Sequence, residues 1–176
     1  PNEINYAWRG AAAMHFLILA HRQFYDGEME SAMKTSIKCT EFLETNMLER
    51  IQVYSLLILS SYRSRYFGTC SKALRQLEPI EGTDTELFRP LLSLPYELFR
   101  HQRPIDEREL PVYYVKCLET GQKFNACTIS GKAIVNEHAV QCKVCQYYMI
   151  ELEMKGRQSC PLCHASCRNT VGLFVE

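Results

Sequence analysis

Two Cys-x-x-Cys pairs, Cys142-Lys-Val-Cys145 and Cys160-Pro-Leu-Cys163, stand fourteen residues apart near the end of a 176-residue chain. A Cys-x-x-Cys turn puts two sulfurs on one tight backbone knuckle, with amide groups turned toward them. Two such turns supply the four soft ligands that tetrahedral zinc prefers. The spacing therefore predicts a structural Zn(2+) site on Cys142, Cys145, Cys160 and Cys163. Four protein ligands close the coordination shell and leave no position for a water nucleophile, so the spacing argues against catalytic zinc.

Other uses of these thiols fit less well. Thioredoxin-type redox chemistry needs one pair at a helix start in a βαβ frame, and no such frame is readable here. A secreted disulfide scaffold shows an even cysteine count spread along the chain. This chain has nine cysteines, seven of them crowded between 117 and 167, which points to a reducing compartment and a metal. His164, directly after Cys163, is a candidate to replace a sulfur or to support one by a hydrogen bond, although a surface imidazole is the simpler reading. Cys127 and Cys167 are candidates to join the site or to start a second one. Cys127 has Ser130, not Cys, three residues on, which weakens any two-zinc RING reading needing about eight ligands. Cys39 and Cys70 read as small buried apolar residues.

Around these pairs the tail reads as mixed. Pro111-Val-Tyr-Tyr-Val-Lys-Cys-Leu-Glu119 has the composition of a strand or extended segment. Residues 127–142 read as a hairpin around Ser130-Gly131. Residues 147–156 fit either a strand or a short helix, and the period does not decide.

The first half has a helical period. The run from Ala7 to Gly27 lacks proline and ends on a helix-stopping glycine, and residues 28–46 carry their own stripe of Met29, Met33 and Ile37. The pattern then recurs at an offset of 41. Arg22 falls on Arg63, Tyr25 on Tyr66, Gly27 on Gly68, Ala32 on Ala73 and Met33 on Leu74. Such hairpins bury an apolar face only by stacking on neighbours, as in tetratricopeptide repeats (TPR). A third helix is expected after a capping box at Thr83 and Glu86, broken or kinked by Pro90 and Pro95. The organisation predicted is mainly α: TPR-like helical-hairpin repeats over 1–101, a linker over 102–115, and a small zinc-binding module with short β-hairpins over 116–176.

Charge narrows the partners. Twenty basic and twenty acidic side chains give no net charge, and the tail's excess of seven basic over five acidic groups is offset by four thiolates on one divalent metal. A generic nucleic-acid or anionic-membrane surface is therefore not expected. A zinc-ribbon nucleic-acid binder using Lys143, Lys155, Arg157 and Arg168 is one alternative, and a RING-like ubiquitin ligase module is another. No apolar run reaches the roughly eighteen residues of a membrane span. No phosphate loop, Gly-x-Ser-x-Gly or His-Glu-x-x-His motif is present, so the chain reads as non-enzymatic. Its start, Pro-Asn-Glu-Ile-Asn, is neither a signal peptide nor an initiator methionine, and the chain reads as part of a longer protein.

Three stretches carry a family resemblance: residues 7–36, which begin Ala-Trp-Arg-Gly; residues 53–74, with Phe-Gly-Thr-Cys-Ser-Lys-Ala at 67–73; and the tail from Cys127 to His164. They closely resemble the C-terminal part of a WD-repeat subunit of the intraflagellar transport complex A (IFT-A). The resemblance implies upstream WD40 propellers and further helical repeats. It also implies a scaffold role in retrograde ciliary transport and in bringing membrane proteins into cilia. The implied location is the cilium or flagellum, its basal body, and the cytoplasm or cytoskeleton. The implied partners are other IFT-A subunits, among them the paralogous WD-repeat subunit and a small disordered one, with no nucleic acid and no direct membrane insertion.

Overall fold

The computed structural model describes residues 2–80, 86 and 89–175. Helix α1 (Asn2–Tyr25) turns back into α2 (Met29–Thr40), and α3 (Arg50–Arg63) into α4 (Phe67–Leu77). The four pack in sequence order around Phe16, Met33, Ile37, Leu57, Ile58, Leu74 and Leu77, all buried. Ala12, Ala13, Ala20 and Ala32 have no exposed surface and let α1 approach α2 closely. Three serines in this core, Ser36, Ser60 and Ser61, satisfy their hydroxyls on the carbonyl four residues back.

The two hairpins repeat down to their turns. In the first, Asp26, Gly27 and Glu28 donate to Arg22, Phe24 and Gln23; in the second, Ser64, Arg65 and Tyr66 donate to Ser60, Tyr62 and Ser61. Gly27 (φ 84°) therefore corresponds to Arg65 (φ 64°), and not to Gly68 as the sequence offset implies. The mismatch is about one helical turn, so the offset matched the right faces one turn out of step. Gly68 ends no helix. It lies in the first turn of α4, where a Cβ would come within 3.0 Å of the Asp106 carboxyl. That carboxylate accepts from the Gly68 and Thr69 amides (2.7 and 3.2 Å) and from the Thr69 hydroxyl (3.0 Å), capping α4 from a distant loop.

Helix α5 (Arg89–His101) runs as one element, not broken. Pro90 sits in its first turn, where a missing amide costs little. Thr83 of the expected capping box lies outside the described residues. The segment from Val112 is not a strand. Helix α6 (Val112–Thr120) begins after Pro111 and ends on Gly121 at φ 67°. Tyr114 and Cys117 are buried, one turn apart, and α6 packs on α2. Packing on a preformed helical face outweighs the strand preference of its Val and Tyr residues.

The tail holds a three-stranded antiparallel sheet of order β2-β1-β3. It comprises β1 (Glu137–Cys142), β2 (Tyr148–Ile150) and β3 (Thr170–Val175), with Val140 opposite Met149 and Gly172. Residues 147–156 prove to be both strand and helix, since β2 runs directly into α7 (Glu151–Met154). The predicted hairpin around Ser130-Gly131 reduces to a tight turn closed by one bridge, Ala126 to Ala133, and its second run pairs with β2 and β3 instead.

One stretch, residues 124–133, joins the tail to the helices, and side chains of the helices hold its backbone. Lys38 and Glu41, side chains 9% and 5% exposed, form an ion pair at 2.7 Å. Glu41 accepts from the Phe124 amide (2.8 Å), and Lys38 donates to the Phe124 carbonyl. His15 donates to the Thr128 carbonyl (2.5 Å) and Gln23 to the Ser130 carbonyl (2.8 Å). The Ala133 amide donates to the Tyr114 hydroxyl (2.8 Å). Among the described residues, no helix is long and apolar enough to cross a membrane.

Breaking one partner of a buried pair leaves an uncompensated charge. Glu41→Gln should lower unfolding stability by about 3 kcal/mol, read from the urea midpoint. Glu119→Gln, which breaks the exposed Lys72–Glu119 pair, should leave that midpoint unchanged.

Candidate metal centre

The four sulfurs of Cys142, Cys145, Cys160 and Cys163 lie within 4.8 Å of one another. Cys142 Sγ is 3.5 Å from Cys163 Sγ, and Cys145 Sγ is 3.8 Å from Cys160 Sγ. A tetrahedron of sulfurs about 2.3 Å from zinc has edges of about 3.8 Å. The donor set thus fits zinc in number, chemistry and spacing, and would hold it in a closed shell.

The two knuckles are built alike. The Gln146 amide donates to the Cys142 carbonyl (2.8 Å), and the His164 amide to the Cys160 carbonyl (2.9 Å). The Cys142 amide donates to Tyr147 (3.0 Å), and that of Cys160 to Ala165 (2.8 Å). Gln146 (φ 62°) and His164 (φ 60°) take the left-handed conformation that lets the chain reverse. At Cys142 burial pulls the thiol pKa upward, but the amides of Cys145 and Val144 outweigh it and hold it below the ordinary thiol range. Burial raises Cys145 and pushes Cys160 up to about 11. Zinc would displace the remaining thiol protons, and its two positive charges would offset half of the four thiolate charges.

The other candidate residues stand outside the cluster. His164 is exposed and serves the knuckle through its backbone. Cys167 starts a short 3-10 turn, and its amide donates to Gln158. Cys127 is fully buried; its thiol donates to a Glu153 carboxylate oxygen (2.8 Å) and accepts from the Ile150 amide (3.3 Å). Burial raises its pKa, and the Glu153 bond raises it further. Glu153 therefore has an inward role that its sequence surroundings hide.

Cys127 also opens a third knuckle of the same build. The Gly131 amide donates to the Cys127 carbonyl (2.7 Å), the Cys127 amide to Lys132 (2.8 Å), and Gly131 has φ 72°. Ser130 stands where the second cysteine would be. A Cβ on Gly131 would run into Thr35, so this knuckle sits flush against α2. Its carbonyls are those held by His15 and Gln23, and burial keeps His15 below the ordinary imidazole range. The signal for this third knuckle was in the sequence as Cys-x-x-Ser-Gly.

Comparison with known proteins agrees with both halves. The family described as "IFT121-like, TPR repeats" matches residues 5–106, and "IFT121, second zinc finger domain" matches residues 125–168. WD repeat-containing protein 35 of Rattus norvegicus and that of Mus musculus are each 38% identical to the chain over 161 residues. These matches cover 91% of this chain and 13% of the relative. The Homo sapiens protein of that name is 34% identical over 160 residues, covering 90% and 13%. The chain thus spans about 13% of the length of the curated relatives it matches. Zinc-finger family and four-sulfur cluster together make the tail a structural zinc module.

Metal analysis of purified chains should return one zinc per chain. Cys142→Ser and Cys163→Ser should each bring the zinc content close to zero, and Cys127→Ser should leave it at one. A second zinc lost with Cys127 would show that the third knuckle is itself a metal site.

Proposed function

The chain belongs to the IFT121-like family, and from that premise we propose that it is the C-terminal part of a scaffold subunit of IFT-A. The working parts assigned to it are a helical stack over 1–101, a connection over 102–115, and a zinc-bearing module over 116–176. Cys142, Cys145, Cys160 and Cys163 hold structural zinc in that module. The activity is non-enzymatic: the chain presents surfaces to other IFT-A subunits, including the paralogous WD-repeat subunit and a small disordered one. The whole protein acts at the cilium and its basal body, in retrograde transport and in bringing membrane proteins into the cilium.

The observation that carries this reading is the order of the two family matches on one chain, with backbone carbonyls of the second, at Thr128 and Ser130, held by His15 and Gln23 of the first. Such a joint suits a rigid terminal piece that transmits position, and a closed sulfur shell suits support rather than reaction.

The test is co-purification from ciliated cells. Tagged chain should bring down other IFT-A subunits, and Cys160→Ser should reduce their yield several-fold at equal bait. Recovery of a ubiquitin-conjugating enzyme or of nucleic acid, without IFT-A subunits, would replace the scaffold reading.

A further inference from the structure

Helix α1 and the zinc module enclose a cleft of about 250 Å³. His15, Ile18 and Arg22 line it from α1; Thr128, Ile129 and Arg157 line it from the module. Among the described residues, no carboxylate lines it. At the helix–module joint Lys38 pairs with Glu41 and Lys132 with Glu137, and in a second cleft there Arg9 and Lys123 stand beside the Glu41 carboxylate. Arg22 and Arg157 make no side-chain ion pair among the described residues. The Thr128 hydroxyl is buried and makes no hydrogen bond, although the carbonyl of the same residue is held by His15. Ile18 is 63% exposed beside these groups. The cleft therefore combines two guanidinium groups without an ion pair and an apolar wall, beside a buried hydroxyl that has no partner.

We propose that this cleft binds the carboxylate of an acidic peptide segment of a protein partner. Arg22 and Arg157 take the carboxylate from its two sides, and Ile18 and Ile129 take the neighbouring apolar side chain. Guanidinium forks suit a planar carboxylate. The chain's zero net charge and the cleft's half-apolar wall disfavour a nucleic-acid backbone, which needs an extended basic track. Four lining residues, Thr128, Ile129, Arg157 and Pro161, belong to the zinc module, so the cleft exists only while that module is folded. That the occupant is a peptide rests on the scaffold reading; the affinity for a carboxylate does not.

The test uses the zinc-loaded 176-residue chain and a fluorescein-labelled, end-capped peptide alternating leucine and glutamate. Its leucine–glutamine counterpart and inorganic phosphate are the comparisons. The glutamate peptide should bind saturably and about tenfold more tightly than the glutamine peptide, the ratio one charge-assisted hydrogen bond supplies. Arg22→Ala with Arg157→Ala should remove that difference at unchanged zinc content and circular dichroism, Lys143→Ala should retain it, and zinc removal should abolish binding. Equal affinity for the two peptides, an unaffected double variant, or tighter binding of phosphate than of peptide would overturn the assignment. Co-purification of IFT-A subunits is scored separately. The double variant failing with the peptide while still recovering subunits supports the cleft and separates it from the scaffold interface. Peptide binding without any subunit recovery refutes the scaffold reading alone.

Discussion

One buried ion pair at the C-terminal end of α2 fixes where the tail begins. Lys38 and Glu41 close around the backbone of Phe124, Lys38 donating to its carbonyl and Glu41 accepting from its amide. A buried pair is costly unless each charge is fully used. Here the Lys38 ammonium also lies 4.9 Å from the centre of the Phe124 ring, and Glu41 accepts from both Lys38 and the Phe124 amide. This register of the tail satisfies both charges. From that point residues 124–133 run along α1 and α2, the third knuckle meets Thr35, and β1 is delivered to the sheet that carries the zinc ligands.

The three knuckles show one backbone design put to two uses. In two of them a left-handed residue after the second cysteine aims a pair of sulfurs at a common point. In the third, Ser130 replaces the second sulfur, and the remaining thiol turns to Glu153. The backbone shape persists because its outward carbonyls now serve as acceptors for His15 and Gln23. A zinc knuckle exposes such carbonyls by construction, so loss of a ligand need not mean loss of the fold when a neighbouring helix holds them.

How much of this was legible in the sequence follows from how local each interaction is. The four cysteines announced themselves because both turns are short and their sulfurs are the message. The helical hairpins were legible from period and turn, with the offset misjudged by about one turn because a helical face repeats at nearly that interval. Arg65 in a left-handed position gave no signal, since glycine or asparagine is the expected residue there. Helix α6 was misread because Val and Tyr residues favour strands until α2 offers them a surface. The joint was invisible: His15, Gln23, Lys38 and Glu41 look like surface residues, and their partners lie more than eighty residues away. Strand β3 went unread because its apolar residues are mostly exposed along the outer edge of the sheet.

The central claim is that zinc builds the tail and that residues 124–133 then clamp it to a helical stack that stands without it. Amide hydrogen exchange on the full chain, before and after metal removal, tests it directly. Without zinc, residues 142–165 should lose protection, while residues 124–133, held by helix side chains, and the α1–α4 core keep their slow amides. Protection of residues 142–165 that survives without metal, or a helical core that loses protection along with them, would contradict the account.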